Sequence, residues 1–169
     1  MIEQLPAITK FDGNYRFLSN FWSATVELDG MFFRNVEAAY QAAKTLDMKL
    51  RDGFQPMTGS EAKREGKRIP IRPDWDEVKL GVMEHLLRQK FPSRHTRLAQ
   101  QLLATGNAPL IEGNTWGDTF WGICRGKGSN HLGRLLMQIR DELRAGQAPV
   151  TAPRTAAPTS RFRSCGFSR

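Results

Sequence analysis

Between Ala24 and Phe33, the apolar positions Val26 and Leu28 alternate with polar neighbours, and an Asp29-Gly30 pair follows, the pattern of a β-hairpin. From Asn35 the period lengthens. Val36, Ala39, Tyr40, Ala43, Leu46 and Leu50 recur at helical spacing and predict one helix, with Asn35 as its N-cap. Thr58-x-x-Glu61 is a capping box opening a second, strongly basic helix, AKREGKR, which stops before Pro70. Asp74-x-x-Glu77 starts a long helix reaching Phe91, with Trp75, Val78, Val82 and Leu86 on one face; His85 lies near that stripe as a helix-packing histidine. Pro92 ends it. Residues 94–104 read as helix again, closed by Gly106. The last helix begins near Asn130, a natural N-cap, buries Leu132, Leu135, Leu136, Ile139 and Leu143, and ends at Gly146. Ahead of the hairpin, YRFLSNFW packs four aromatics into eight residues and reads as a structured loop or short strand. The pattern predicts an α+β fold: a mostly helical single domain over residues 1–146 with a small antiparallel sheet. Residues 147–169 have no hydrophobic period and read as a disordered tail.

Composition narrows the classes. Of the 169 residues, 40% are hydrophobic and 25% charged, which excludes a wholly disordered chain. No run of eighteen apolar residues occurs, and MIEQLPAITK lacks the apolar core of a signal peptide, so the expectation is a cytoplasmic protein without a membrane partner. Lys and Arg total 25 against 17 Asp and Glu, a net charge of +8. Half of that excess belongs to Arg154, Arg161, Arg163 and Arg169, so the folded part is only mildly basic. Cys124 and Cys165 lie far apart, and His85, His95 and His131 show no ligand spacing to each other or to a cysteine. No metal site, disulfide or cofactor is expected.

Three stretches carry candidate chemistry. The loop Glu112–Gly128, EGNTWGDTFWGICRGKG, holds two Trp, one Phe, one Asp and five Gly where a mere connector would be small and polar. Its glycines allow close backbone approach, its tryptophans offer faces to a planar ligand, and Asp118 lies between them. An Ω-loop whose aromatics plug the core is the competing reading. In the helix NVEAAYQAAK, Glu37, Gln41 and Lys44 fall at i, i+4 and i+7, one line that can point a carboxylate, an amide and an amine into one groove. Equally, Glu37 in a first turn complements the helix dipole and Lys44 is solvated. Lys63, Arg64, Lys67, Arg68 and Arg72 can grip a phosphate, although Glu61 and Glu65 interleave with them and make a salt-bridged face the simpler reading for most.

RFLSNF, VEAAYQAAK, AKREGKRIPIRPDWDEVK and WGDTFWG…GKGSNHLGRLLMQIR stand in one order between about Phe11 and Arg144. Together they resemble the NADAR family, also called YbiA-like. The resemblance implies the YbiA-like α+β fold and an N-glycosidase acting on ribosyl compounds. In bacterial and plant relatives these are the riboflavin-pathway ribosylaminopyrimidine and ribosylaminouracil 5′-phosphates, yielding the base and ribose 5-phosphate. Other members remove ADP-ribose from guanine bases in nucleic acid. The family pattern maps onto Glu37, Trp75, Trp116 and Asp118, with Asn20, Lys44 and Asn130 as further pocket residues. The tail after Gly146 lies outside it.

That chemistry suits these residues. Breaking a C1′–N bond passes through an oxocarbenium-like centre, which calls for negative charge near C1′, an activated water and a proton for the leaving nitrogen. Glu37 and Asp118 fit acid and base or stabiliser in either order. Trp75 and Trp116 fit the base or the ribose face, and Lys or Arg fits the phosphate. Lys44 offers another route, a Schiff base with an opened sugar aldehyde. The rival expectation is a non-enzymatic nucleic-acid-binding module, motivated by basicity and by aromatics among Arg and Lys, whose binding would be steeply salt-dependent.

Overall fold

The Asp29-Gly30 pair adopts the left-handed backbone that a two-residue hairpin turn requires, with φ of 52° and 82°. It joins strands β1 (Ser23–Leu28) and β2 (Met31–Asn35), which run antiparallel with Val26 opposite Phe33 and Leu28 opposite Met31. Val26 and Phe33 bury their side chains on one face, while Phe32 points to solvent. The chain is described here by a computed structural model over residues 5–146; the expected 147–169 tail lies outside the described residues. Gln89 reaches β1 from a helix, accepting from Glu27 N (2.7 Å) and donating to Glu27 O (2.8 Å), so this strand edge finds its partners in a side chain.

Asn35 ends β2 and caps α1 (Val36–Ala42), its Oδ1 accepting from Ala38 N at 2.8 Å. Every residue of α1 is buried, because the helix is packed on both strands and on the third and fourth helices. The single helix expected from Asn35 to Leu50 is divided. After α1, Thr45 Oγ1 accepts from Asp47 N, and Asp47 Oδ1 accepts from Lys49 N and Leu50 N, starting a separate α2 (Met48–Gly53). Short polar side chains outcompete the helical ladder here. Leu46 and Leu50 are consequently exposed rather than part of the buried stripe.

α3 (Gly59–Glu65) opens on the expected reciprocal capping box of Thr58 and Glu61. α4 (Trp75–Lys90) begins as expected, but Asp74 does not cap it, because both its oxygens accept from Arg72 at 2.6 and 2.7 Å. Its buried residues are Met83, Leu86, Leu87 and Lys90, with Trp75 and Val82 partly buried, and His85 is exposed instead of packing inward. α5 (Arg97–Ala104) starts later than the spacing suggested, since Thr96 Oγ1 caps Ala99 N.

α6 (His131–Arg144) buries Leu132, Leu136, Ile139 and Leu143, with Leu135 partly covered. Asn130 is not its side-chain cap. It is left-handed (φ 52°), and its amide bridges elsewhere, accepting from Glu112 N at 3.0 Å and donating to Leu110 O at 2.8 Å. YRFLSNFW contributes most of a 3-10 helix, Gly13–Leu18, rather than a strand. A second, parallel pairing of β3 (Gly113–Asn114) with β4 (Ile123–Cys124) closes the Gly-rich loop on itself. The expected fold class holds: an α+β, mostly helical domain whose sheet element is a small antiparallel hairpin.

Candidate active site

A cavity of about 830 Å³ lies against the buried central helix α1. It is lined by Asn20, Glu37, Lys44, Trp75, Trp116 and Asp118, six of the seven residues singled out from the sequence. Asn130, the seventh, does not reach it; its side chain is spent fixing the backbone at Leu110 and Glu112. The line of Glu37, Gln41 and Lys44 does face one groove, and Lys63 comes from the basic face of α3.

Glu37 is buried near the start of α1, with Oε1 accepting from Gln41 Nε2 at 2.7 Å. Burial raises its pKa above the ordinary carboxylate value, opposed first by the Gln41 hydrogen bond and then by the charges of Lys63 and Lys44. Burial also holds the Lys44 amine below the usual lysine range, while Glu37 pulls it back up. Among the described residues, Lys10, Lys44 and Lys63, all lining the cavity, enter no ion pair, whereas Lys79 pairs with Asp76.

Asp118 is held from several sides. Its Oδ1 accepts from Phe120 N (3.1 Å) and Trp121 N (2.8 Å), and Asn114 clasps its backbone through Nδ2 to Asp118 O and Oδ1 from Asp118 N. The loop aromatics divide between two environments. Trp121 is partly buried and donates from Nε1 to Tyr40 Oη at 3.1 Å, and Tyr40 meets Trp75 at a centroid separation of 5.0 Å, so these rings form a wall. Trp116 is 61% exposed at the rim, where Lys63 Nζ sits 5.0 Å from its centroid and 5.9 Å from that of Phe21. The loop therefore both plugs the core, through Trp121, and edges the cavity, through Trp116.

Sequence reasoning passed over three of the lining groups. Helical spacing places Tyr40 only in an apolar stripe, and in the sequence Trp121 has no role beyond that of one of the loop's two tryptophans. Glu112 is the third: its carboxyl is pushed up to about 7 by burial first, then by the charge of Asp118. The signal available was its place as the first residue of the unusual loop. Nearby, Lys90 is buried, donates to Ser19 O at 2.7 Å, and is driven down to about 7 by burial.

Three buried acceptors among the lining residues have no hydrogen-bond partner: Asn20 Oδ1, Gln41 Oε1 and Glu112 Oε2. Buried polar atoms are rarely left so, and these three mark where the polar lining of the cavity is unsatisfied; Gln41 Oε1 also lies close against Gly66. Carboxylates, an aromatic wall and unpaired lysines surround the same space. Among the described residues, no group of three or more His, Cys, Asp or Glu side chains is placed to hold a metal ion, and no helix is long and apolar enough to cross a membrane.

Comparison with known proteins places this cavity in a wider context. The family model for the NADAR domain matches residues 9–144. N-glycosidase YbiA of Escherichia coli (strain K12) is 38% identical over 135 residues, covering 77% of this chain and 82% of that protein. A riboflavin biosynthesis protein of Vibrio vulnificus is 37% identical over 136 residues, covering 78% of this chain but 36% of that longer protein. The NMR structure of Escherichia coli YbiA superposes with a TM-score of 0.70 at 35% identity, covering 85% of this chain and 90% of that one.

Proposed function

Because the chain belongs to the NADAR domain family, we propose that it is an N-glycosidase that hydrolyses the C1′–N bond of a phosphorylated ribosyl compound. One observation carries the reading: the orphaned acceptors Asn20 Oδ1, Gln41 Oε1 and Glu112 Oε2 share a cavity with Glu37, Asp118 and an aromatic wall. A ribose hydroxyl would give Asn20 Oδ1 the donor it lacks. A planar base would lie against Trp75 or Trp116, and Lys63 and Lys10 would meet the phosphate as point charges.

The bond breaks as positive charge grows at C1′. Glu37 and Asp118 supply the negative charge that stabilises that centre and the acceptor that takes a proton from the attacking water. Two backbone amides on Oδ1 of Asp118 fix its direction, and Gln41 fixes that of Glu37. Both groups are thus oriented before substrate arrives. Lys44 keeps a cation beside Glu37 and favours its charged form.

Within this class, the relative named for riboflavin biosynthesis favours the ribosylaminopyrimidine and ribosylaminouracil 5′-phosphates as substrates. The test is release of ribose 5-phosphate from those compounds, run beside an ADP-ribosylated guanine oligonucleotide. Glu37→Gln and Asp118→Asn are each expected to lower kcat by about 100-fold or more, with unchanged folding by circular dichroism. A variant that keeps near-normal turnover removes its residue from the catalytic set. Release from the oligonucleotide alone would move the substrate to the ADP-ribose branch.

A further inference from the structure

The reaction proposed above gives work to two carboxylates, yet the cavity holds a third, and no group has been assigned to protonate the leaving nitrogen. We propose that Glu112 is that proton donor, its carboxyl hydrogen passing to the nitrogen as the C1′–N bond opens. The inference rests on the N-glycosidase reading and adds a catalytic residue to it.

Geometry separates Glu112 from the other two. Glu37 has Oε1 occupied by Gln41, and Asp118 has Oδ1 occupied by two amides, so each is arranged as an acceptor. Among the described residues, the Glu112 carboxyl has no hydrogen bond at all, and its Oε2 is buried. Its backbone is nevertheless fixed: Glu112 N donates to Asn130 Oδ1 at 3.0 Å, and Glu112 O accepts from Ile123 N at 2.9 Å. Gly122 packs so closely that a Cβ there would overlap the Glu112 carbonyl and crowd its Cγ. A rigidly based side chain with a free carboxyl head in a substrate cavity is what proton delivery requires.

The surroundings favour a protonated acid near neutral pH. The charged groups bearing on Glu112 are Asp118 from its own loop, Glu37 from α1, Lys63 from α3 and Lys90 from α4. Burial has the largest effect and Asp118 the next, and both hold the proton on; Lys63 and Lys90 oppose them. For Glu37 the order differs. After burial, its next influences are the Gln41 donor and two lysines, all favouring the charged form.

The step balances without any redox partner. The C1′–N bond breaks with its electron pair going to nitrogen, and that nitrogen takes the proton from Glu112. Water oxygen bonds to C1′ and gives its proton to Glu37 or Asp118. Glu37 or Asp118 then releases that proton to solvent and Glu112 takes one back, so the sum is one water added across the bond.

The experiment compares wild type and Glu112→Gln, both as full chains, on two probes. One is ribosylaminouracil 5′-phosphate, whose amine must be protonated to leave. The other is p-nitrophenyl riboside 5-phosphate, whose nitrophenolate leaves unassisted. The expected result is a loss of about 100- to 10,000-fold on the first probe and less than about tenfold on the second, since only the first needs the acid. The alkaline limb of the kcat/KM profile on the first probe should also vanish. Equal losses on both probes, or none on the first, would overturn the assignment of Glu112 while leaving the N-glycosidase intact. A wild type inactive on both would overturn the ribosyl 5-phosphate substrate on which the assignment of Glu112 rests. Should Glu112→Gln not fold, Glu112→Asp is read the same way, with a selective loss on the amine probe.

Discussion

Glu112 illustrates how a group suited to proton transfer weakens the fold that holds it. Its carboxyl sits at about 7 in the folded chain against an ordinary 4.5, because burial and Asp118 penalise the charged form. The folded state therefore binds the proton more tightly than the unfolded state. That contribution to stability is fully present below about pH 4.5 and is lost as pH rises through 7. In Glu112→Gln no charge is buried at any pH. The melting temperature of the variant, measured against wild type, should accordingly differ little at pH 5 and become higher than wild type by pH 8. A difference independent of pH would mean that Glu112 does not titrate in this range. Stability gained where activity is lost is the familiar consequence of removing a buried functional charge.

Among the elements, α3 couples a local folding signal to the cavity. It is only seven residues long, so it depends on its cap and its packing, and it carries Lys63 to the rim. Thr58→Ala removes the hydroxyl that accepts from Glu61 N and should lower stability by about 1 kcal/mol. Fraying at that end should raise KM for the phosphorylated substrate while leaving kcat close to wild type, which steady-state kinetics would separate. The capping box, the hairpin turn and the α6 stripe were legible in the sequence because each is decided by residues a few positions apart. The break between α1 and α2 was not, because the apolar period runs through it and only the side chains of Thr45 and Asp47 interrupt the ladder. Asn130 looked like a cap for the same local reason, yet a tertiary contact with Leu110 and Glu112 claims its amide. For the site, the line from Glu37 to Lys44 could be read from helical spacing, but its meeting with Asp118 was supplied by a family resemblance alone. Glu112 left only its place at the head of the unusual loop: an acid next to a glycine becomes informative only when the fold buries it without a partner.

Across the whole molecule, charge and chemistry separate along the chain. The net charge is +8, and half of it belongs to four arginines beyond Gly146. The cavity, by contrast, is lined by residues from Thr9 to Leu132, and the family match ends at residue 144. Among the described residues, every group lining the cavity lies before Gly146. Truncation after Gly146 should therefore leave kcat and KM for the ribosyl phosphate unchanged. Any nucleic-acid affinity that depends on the four arginines should weaken in the same variant and lose part of its salt dependence, because fewer phosphate contacts release fewer counterions. Turnover and a binding titration at two salt concentrations would read both on one preparation. If truncation abolished turnover, the cavity would be incomplete without the tail, and the assignment of chemistry to α1, α3 and the Gly-rich loop would fail. If turnover persisted while binding fell, the basicity of the chain would belong to the tail, and the mildly basic domain would owe its specificity to its buried acceptors and carboxylates.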